Sequence, residues 1–385
     1  MLRVLTLATL YPDASRPNFG VFVERQTRGL AALPDTEVTV VAPIGLPPWP
    51  LGKLRHRALA ALPRGETWHG LTVHRPRFLA LPATQGRWQA PLLARALRPL
   101  LDRLRFDVID ASFFFPDGPA AVALRRRYGV PVSIKARGAD IHHWGRAAAT
   151  AAQVRAAGQG ADGLLAVSAA MKADMVALGF PAERIAVHRT GIDHDRFRPA
   201  DRAAAKAALG LAGPAVLSLG ALIPRKGHGI VLDAVAALPG VTLLIAGDGP
   251  ERAALAAQAT GLGIADRVRL LGSLPHAELP RLLAAADVMA LASASEGLAN
   301  AWVEALACGT PIVVPDAGGA REVVTTPAAG RIVAREASDF AAAIAELLDH
   351  PPAQADVAAA AAPFSWERNA VELRAHLAAL VTRRA

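Results

Sequence analysis

The sequence predicts an α/β protein of two domains, each built on a parallel sheet. Three observations carry that expectation. Short apolar, β-branched runs alternate with longer Ala/Leu/Arg segments of helical period along the whole chain. The alternation falls into two series, parted by the polar, proline-terminated stretch Gly191-Ile-Asp-His-Asp-Arg-Phe-Arg-Pro199. And 385 residues is long for one domain and comfortable for two.

In the first half the strand candidates are Arg3–Leu10, Glu37–Ala42, Leu71–Phe78, Asp107–Ser112, Pro131–Ala136, Gly163–Ser168 and Ile185–Arg189. Helical spacing marks Val21–Leu33, Ala90–Leu104 and Pro119–Tyr128 between them. In the second half the strands are Ala215–Leu222, Val241–Gly247, Arg267–Gly272, Asp287–Leu291, Pro311–Pro315 and Gly330–Val333. Their helices are Gly229–Leu238, Glu251–Thr260 and Phe340–Leu348. Strands joined through helices imply parallel pairing by right-handed crossovers. Gly45–Pro50 and His350–Pro352 read as surface loops, and the Ala358–Ala362 run as helix. A last helix, Asn369–Val381, carries an apolar stripe at Val371, Leu373, Leu377, Leu380 and Val381 that must be buried somewhere.

Composition narrows the class. With 52% hydrophobic and 19% charged residues, the chain can fill a large core, which excludes global disorder. No run reaches the ~18 apolar residues of a membrane-spanning helix. The apolar start Met1–Leu10 is followed by Tyr11-Pro12-Asp13 where a cleavage site would sit, so it reads as a first strand. The single Cys308 excludes an intramolecular disulfide framework and suits a reducing, cytoplasmic setting. The net charge of +9 is uneven: residues 1–198 carry 27 Lys and Arg against 15 Asp and Glu, and residues 199–385 carry 15 against 18. A basic first half points to an anionic partner, for which the inner face of a membrane or a phosphorylated acceptor is preferred over nucleic acid.

In open parallel sheets, ligands bind beyond the carboxyl ends of the strands. The unusual residues lie there. Gly220-Ala-Leu-Ile-Pro-Arg-Lys-Gly227 follows a strand and precedes a helix, and its Arg225 and Lys226 form a diphosphate clamp or a solvated basic turn. Ser295-Glu-Gly-Leu-Ala-Asn300 leads into a helix whose first amides, around Leu298, Ala299 and Asn300, make an anion site. Glu296 before that helix and Glu304 within it are two carboxylates suited to sugar and ribose hydroxyls; either one alone would also serve the helix dipole or a solvated face. Gly247-Asp-Gly-Pro250 makes a tight turn with a nucleotide-edge role as its second reading. Gly20, at a helix start, permits close approach to a phosphate or simply turns the chain. Arg137 and Asp140 end a first-half strand and are candidates for the chemistry, or a solvated pair. His142 and His143 lack a partner pair at ligand spacing, and Asp193-His-Asp195 lies in the linker, so no metal site is expected.

Together these loops resemble the retaining glycosyltransferases of the GT-B fold, in the large family 4 group. The likeness covers nearly the whole chain and is strongest over residues 215–320. It rests on a G-x-x-x-x-R/K-K-G loop at Gly220–Gly227, an E-x7-E pair at Glu296 and Glu304, and G-x-G-P at Gly247–Pro250. The Phe-Gly-Val-Phe-Val run at Phe19–Val23 and Arg-Gly-Ala-Asp-Ile at Arg137–Ile141 are similar to the branch that makes cell-surface polysaccharides.

The resemblance implies two Rossmann-like domains facing across a cleft. Residues 1–195 would bind the acceptor, a glycan or a polyprenyl-phosphate-linked one. Residues 196–363 would bind the sugar nucleotide, a UDP- or GDP-sugar, and residues 364–385 would cross back to the first domain. Arg225 and Lys226 would hold the diphosphate with the amides of Leu298–Asn300, Glu304 the ribose, and Glu296 the transferred sugar. Gly247 would border the nucleotide, and Gly20 would approach the phosphates on closure. Many members carry His where Arg137 stands; the arginine keeps the backbone of the turn and changes the side chain, which could instead stabilise charge on the leaving phosphate. No metal and no further cofactor are implied. Transfer would proceed on one face with retention, or by double displacement through a carboxylate. The competing functions are a non-hydrolysing sugar-nucleotide epimerase of the same fold and a non-catalytic sugar-nucleotide-binding subunit. Residues 44–69 and 79–90 are expected to be acceptor-side loops.

Overall fold

The computed structural model describes residues 1–48 and 56–384, which fall into two compact units: Met1–Gly191 together with Trp366–Ala385, and Ile192–Ser365.

The first unit is organised on an eight-stranded sheet among the described residues. Its strands are β1 (Leu2–Leu7), β2 (Thr36–Val41), β4 (Gly65–Trp68), β5 (Leu71–His74), β7 (Val108–Ala111), β8 (Val132–Ala136), β9 (Gly163–Ala166) and β10 (Ile185–Val187). They lie in the order β10-β9-β8-β7-β1-β2-β5-β4, all parallel except the β4–β5 hairpin at one edge. Central strands of such a sheet are covered on both faces, and β7, β8 and β9 are buried at every residue. The sheet order reverses at β1, so the loops after β1 and β7 flank the switch point.

Two expectations need correction here. The run Leu71–Phe78 is not one strand. Pro76 breaks it into β5 and β6 (Arg77–Leu79), and β6 leaves the main sheet to pair with β3 (Ile44–Leu46). Proline has no N–H for the ladder, and the buried Arg75 beside it is held by Glu66 Oε1 and by Pro12 O at 2.7 Å. The second correction follows: the stretch read as the loop Gly45–Pro50 contributes the end of β3. Trp49 and Pro50 lie outside the described residues, as do residues 51–55 of the stretch 44–69. That stretch also holds the helix Arg57–Ala61 and β4, so it is not loop throughout.

The last helix, Trp366–Thr382, begins one turn earlier than its apolar stripe predicts. Leu373 and Leu377 join the cluster of Val4, Val23, Leu30 and Val40, so the helix belongs to the core of the first unit. Polar bonds fix its register. Asn369 Nδ2 donates to Arg189 O at 2.6 Å, and His376 Nε2 lies 3.0 Å from Ser133 Oγ. Val371, in contrast, is exposed.

The second unit holds a six-stranded, wholly parallel sheet among the described residues. Its strands are β11 (Ala215–Leu219), β12 (Thr242–Ala246), β13 (Val268–Gly272), β14 (Val288–Ala290), β15 (Ile312–Pro315) and β16 (Gly330–Val333), in the order β13-β12-β11-β14-β15-β16. This is the Rossmann order, with its switch point between β11 and β14. Val216, Leu243, Ile245, Val288 and Val313 pack against Val231, Val235, Phe340 and Ile344 of the flanking helices His228–Ala236 and Ala337–Asp349. The alanine run at 358–362 is helical only to Ala359 and then turns. No helix of the described residues is long and apolar enough to cross a membrane.

Candidate functional site

The loops after β11 and β14 meet at the switch point of the second unit. After β11, Pro224–Lys226 forms a 3-10 turn and Gly227 caps the following helix with φ 67°. A Cβ on Gly227 would lie 2.2 Å from Ala292 O, so only glycine lets this loop seat on the β14 loop. One backbone and one side-chain bond complete the contact: Ala294 N donates to Arg225 O at 2.8 Å, and the guanidinium Nε of Arg335 to Ala292 O at 2.7 Å.

This seating fixes two cations beside a carboxylate. Lys226 Nζ lies 2.5 Å from Glu296 Oε1, and Arg225 Nη1 lies 3.7 Å from the same oxygen while donating to Ser295 O. The side chain of Arg225 is 38% exposed, against 15% for Lys226 and 9% for Glu296. Just beyond, the helix Asn300–Ala307 starts with Ala299 at its N-cap, which has no side-chain oxygen to accept from the first amides. Leu298 and Ala299 are buried, so this start is a firm apolar shelf under a polar rim. The backbone of Glu296 is braced from behind: a Cβ on Gly318 would stand 2.2 Å from Glu296 O, and Gly319 N donates to Gly297 O at 2.8 Å.

Glu304 lies in the second turn of the same helix and meets His276 Nε2 at 2.7 Å. His276 packs edge-on to Phe197 with ring centroids 5.2 Å apart. His276, Gly318 and Arg335 do not figure among the sequence candidates. Each follows the carboxyl end of a strand, the signal that located the others. Gly247 has a packing role: its Cβ would fall 1.8 Å from Gly220 O, as that of Gly249 would fall 2.4 Å from Leu222 O. The Gly-Asp-Gly-Pro turn thus supports the cationic loop from its other side.

His228 opens the helix behind that loop and is fully buried. Its Nε2 lies 3.2 Å from Ala221 O and its Nδ1 2.8 Å from Ser218 Oγ. A carbonyl only accepts, so the proton belongs on Nε2 and the serine hydroxyl donates to Nδ1. Burial lowers its pKa to about 4, with Lys226 adding to the effect.

In the first unit, Gly20 caps the helix Val21–Ala31 with φ 78°, and its Cβ would meet Leu10 O at 2.5 Å. Arg137, at the end of β8, is tied down. Its Nε donates to Ser112 O at 2.7 Å and its Nη2 to Gln26 Oε1 at 3.2 Å. Burial lowers it to about 10, so it stays cationic at neutral pH. Asp140, expected at the chemistry, instead faces inward. It is fully buried and accepts from the amides of Phe114 (3.0 Å), Arg137 (3.0 Å) and Gly138 (2.7 Å). It shapes the loop that opens the π-helical turn Asp140–Trp144. Lys135, wholly buried beneath, donates to Gln26 Oε1 at 2.8 Å and contacts His188 Nδ1 at 2.9 Å.

Past β1 and β7 of this unit lies a cavity of about 290 Å³. Phe19, Ile44, Phe78, Phe113 and Phe115 line it, with Arg16 at the wall. Arg16 is paired with Asp13 at 2.7 Å and stacks 4.3 Å over Phe19. His142 is engaged with Asp174 at 2.8 Å, and Asp193 accepts from Arg196 N at 3.2 Å. Among the described residues no group of three His, Cys, Asp or Glu side chains is placed to hold a metal ion.

Two family models match the chain. The one described as Glycosyl transferases group 1 matches residues 201–363, and the one described as Glycosyltransferase Family 4 matches residues 20–196. The D-inositol 3-phosphate glycosyltransferase of Mycolicibacterium smegmatis is 41% identical over 194 residues, which is 48% of this chain and 44% of that protein. Its counterpart in Mycobacterium tuberculosis (strain F11) is 41% identical over 204 residues, 49% of this chain and 42% of that protein. The matched stretch therefore spans less than half the length of these curated relatives. Among solved structures, sucrose-phosphate synthase from Thermosynechococcus elongatus superposes with TM-score 0.84 at 21% identity, covering 100% of both chains. Anabaena Alr3699/HepE in complex with UDP and glucose gives 0.77 at 21% identity, covering 98% of this chain and 100% of that one. At these identities the likeness is one of fold, and it is the GT-B fold.

Two outcomes follow from the geometry. Gly227 and Gly263 share nearly the same φ, 67° and 69°, but a Cβ on Gly263 would meet nothing within 4 Å. Gly263→Ala costs about 1–2 kcal/mol, the strain of a left-handed alanine. Gly227→Ala costs about 3 kcal/mol or more, because it also drives into Ala292 O. Denaturant unfolding of the two variants measures the difference; equal losses would refute the loop contact. The second outcome concerns His228. Its folded pKa lies below the unfolded value of about 6.5, so the unfolded chain takes the proton first as pH falls. The stability it contributes is present above about 6.5 and is lost between there and about pH 4, at about 1.4 kcal/mol per unit of depression. His228→Gln has a flatter stability profile than the wild type across that window, and parallel profiles would exclude a buried neutral His228.

Proposed function

The chain belongs to the family 4 glycosyltransferases, and we propose that it moves a sugar from a nucleoside-diphosphate sugar to a hydroxyl of an acceptor, with retention and without a metal ion. One observation carries this reading above all. Arg225 and Lys226 are fixed against Ser295 and Glu296, in the loop that leads into the uncapped start of the Asn300–Ala307 helix, at the point where strand order reverses. A diphosphate is the ligand this arrangement suits. It needs compensating charge, planar donors and helix amides, and all three are present within two adjacent loops.

Breaking the anomeric C–O bond leaves an oxocarbenium-like sugar and adds negative charge to the departing phosphate. Arg225, Lys226 and the helix amides would stabilise that charge as it grows. Glu304, held by His276, is suited to ribose hydroxyls, and Glu296 to those of the transferred sugar. Asp140 is closed off by three backbone amides, and Glu296 is engaged with Lys226 rather than free to attack. We therefore favour front-face transfer, in which the leaving phosphate takes the acceptor proton.

The acceptor would be read by the first unit. Phe19, Phe78, Phe113 and Phe115 wall its cavity, with Thr9, Arg16 and Gln89 as polar groups among them, which suits an acceptor that carries an apolar portion beside its hydroxyls. Polyprenyl-linked and other amphiphilic acceptors share that chemistry, in keeping with a role in cell-surface glycan or glycolipid synthesis.

Thermal shift with UDP, GDP, ADP and dTDP tests the donor site. A nucleotide at ~100 times its Kd stabilises the protein by about 2.7 kcal/mol, a rise of a few degrees. The fitting nucleotide does so for the wild type and not for Arg225→Ala/Lys226→Ala; equal stabilisation of the double variant would remove the clamp. The acceptor side is tested by comparing octyl and methyl glycosides of one sugar in nucleotide-release assays. The octyl compound has the lower KM, and Phe113→Ala narrows the gap while the KM for donor stays unchanged. No preference for the octyl chain would sink the apolar subsite.

A further inference from the structure

We propose that Glu296 is an internal rival of the donor's diphosphate, and that this rivalry makes the site prefer the intact sugar nucleotide over the nucleoside diphosphate left after transfer. The inference rests on the donor-site reading and deepens it.

The argument starts from the ion pair. Glu296 Oε1 sits 2.5 Å from Lys226 Nζ and 3.7 Å from Arg225 Nη1, so one carboxylate occupies the field of both cations that would grip a diphosphate. Glu296 and Lys226 are largely buried, whereas Arg225 is 38% exposed. An incoming phosphate therefore meets Arg225 first and then competes with Glu296 for Lys226, and full engagement of Lys226 displaces the carboxylate. The displacement is a side-chain rotation. The carbonyl of Glu296 is backed by Gly318 and its loop is bonded through Gly319 N to Gly297 O, so the side chain is the part that moves.

What becomes of the released carboxylate then decides affinity. A charge that is 9% exposed is expensive to leave without a partner. An intact donor carries hydroxyls on its sugar, and hydroxyl donors are what a freed carboxylate needs. A bare nucleoside diphosphate has only its ribose hydroxyls, which go to Glu304 in this reading. It also places the extra charge of a terminal phosphate next to Glu296. The donor thus replaces the Lys226–Glu296 pair with two sets of bonds, and the product replaces it with one set and a repulsion. Binding that differs between substrate and product in this way speeds release of the spent nucleotide.

The test is isothermal titration calorimetry on the full chain with UDP and UDP-glucose, and in parallel with GDP and GDP-mannose. Glu296→Gln removes the charge, keeps the shape and can still bond hydroxyls. It binds the nucleoside diphosphate about tenfold more tightly than the wild type does, the scale of one charge-assisted contact. Its affinity for the sugar nucleotide changes by less than about threefold, so the preference for donor over product shrinks. Glu296→Ala provides the second arm: it gains for the diphosphate in the same way and loses for the sugar nucleotide. Unchanged or weaker diphosphate binding in both variants would overturn the rivalry while leaving the donor site standing. A wild type that binds none of the four nucleotides overturns the donor-site reading and this inference with it.

Discussion

The second unit depends on one steric constraint, the absence of Cβ atoms where its loops touch. Four neighbouring strands, β12, β11, β14 and β15, end in loops that lean on one another backbone to backbone. Gly247 and Gly249 rest on the carbonyls of Gly220 and Leu222, Gly227 on that of Ala292, and Gly318 on that of Glu296. Any side chain at these points would push adjacent loops apart. Because none is there, the loops form a continuous shelf across the carboxyl edge of the sheet. Arg225, Lys226 and Glu296 project from that shelf, so their spacing is set by backbone contacts and not by long side chains finding each other. Preorganised charge of this kind costs little reorganisation when a ligand's charge develops.

Rigid backbone has an electrostatic consequence. Two cations held side by side on a fixed loop would repel each other and attract any solute anion. Glu296 answers both problems within the chain, since it neutralises Lys226 and is close enough to Arg225 to moderate it. Glu296 therefore offsets one of the two cations, and the site becomes more strongly cationic when that carboxylate turns away. His228 complements this arrangement from behind. Kept neutral by burial, it bonds Ser218 and Ala221 on either side of the loop's start without adding a third positive charge.

Much of this was legible in the residues, for identifiable reasons. Alternation of strand and helix is written in long periodic segments, which is why all six strands of the second unit match sequence candidates. Strand ends mark ligand loops because topology puts them there, so Arg225, Lys226, Glu296 and Glu304 stood out by position and type together. Short elements were harder to see. β3 has three residues and β4 four, too few to show a period, and Pro76 turns one apparent run into two strands of different sheets. Roles that depend on direction were harder still. Asp140 stands at a strand end like the other candidates, but three backbone amides draw it inward, and no spacing rule reveals which way a side chain turns. His276 shows the converse case. Its partner Glu304 was visible, but the bond between them joins residues 28 apart and exists only once β13 and the helix are in place.

The two units solve the same problem of presenting polar groups at strand ends by different means. The second relies on bare backbone contacts, with Arg225 exposed at the rim of the shelf and Lys226 half-buried beside Glu296. The first buries its charges. Lys135 and Arg137 at the end of β8 both donate to the single oxygen Gln26 Oε1, and Asp110 lies fully buried beside them with burial raising it to about 6. Burial, with Arg137 adding to it, holds Lys135 well below the usual lysine range, so this cluster depends on its surrounding groups being held in place. The last helix does some of that holding, since Asn369 O bonds His188 Nε2 at 2.8 Å and His188 Nδ1 in turn meets Lys135. A segment that follows the whole second unit in sequence thus reaches, through one histidine, the polar cluster on which Arg137 is mounted. That linkage gives the returning helix a purpose beyond covering apolar surface: without it, the charge network under the β8 loop would lose one of its fixed walls.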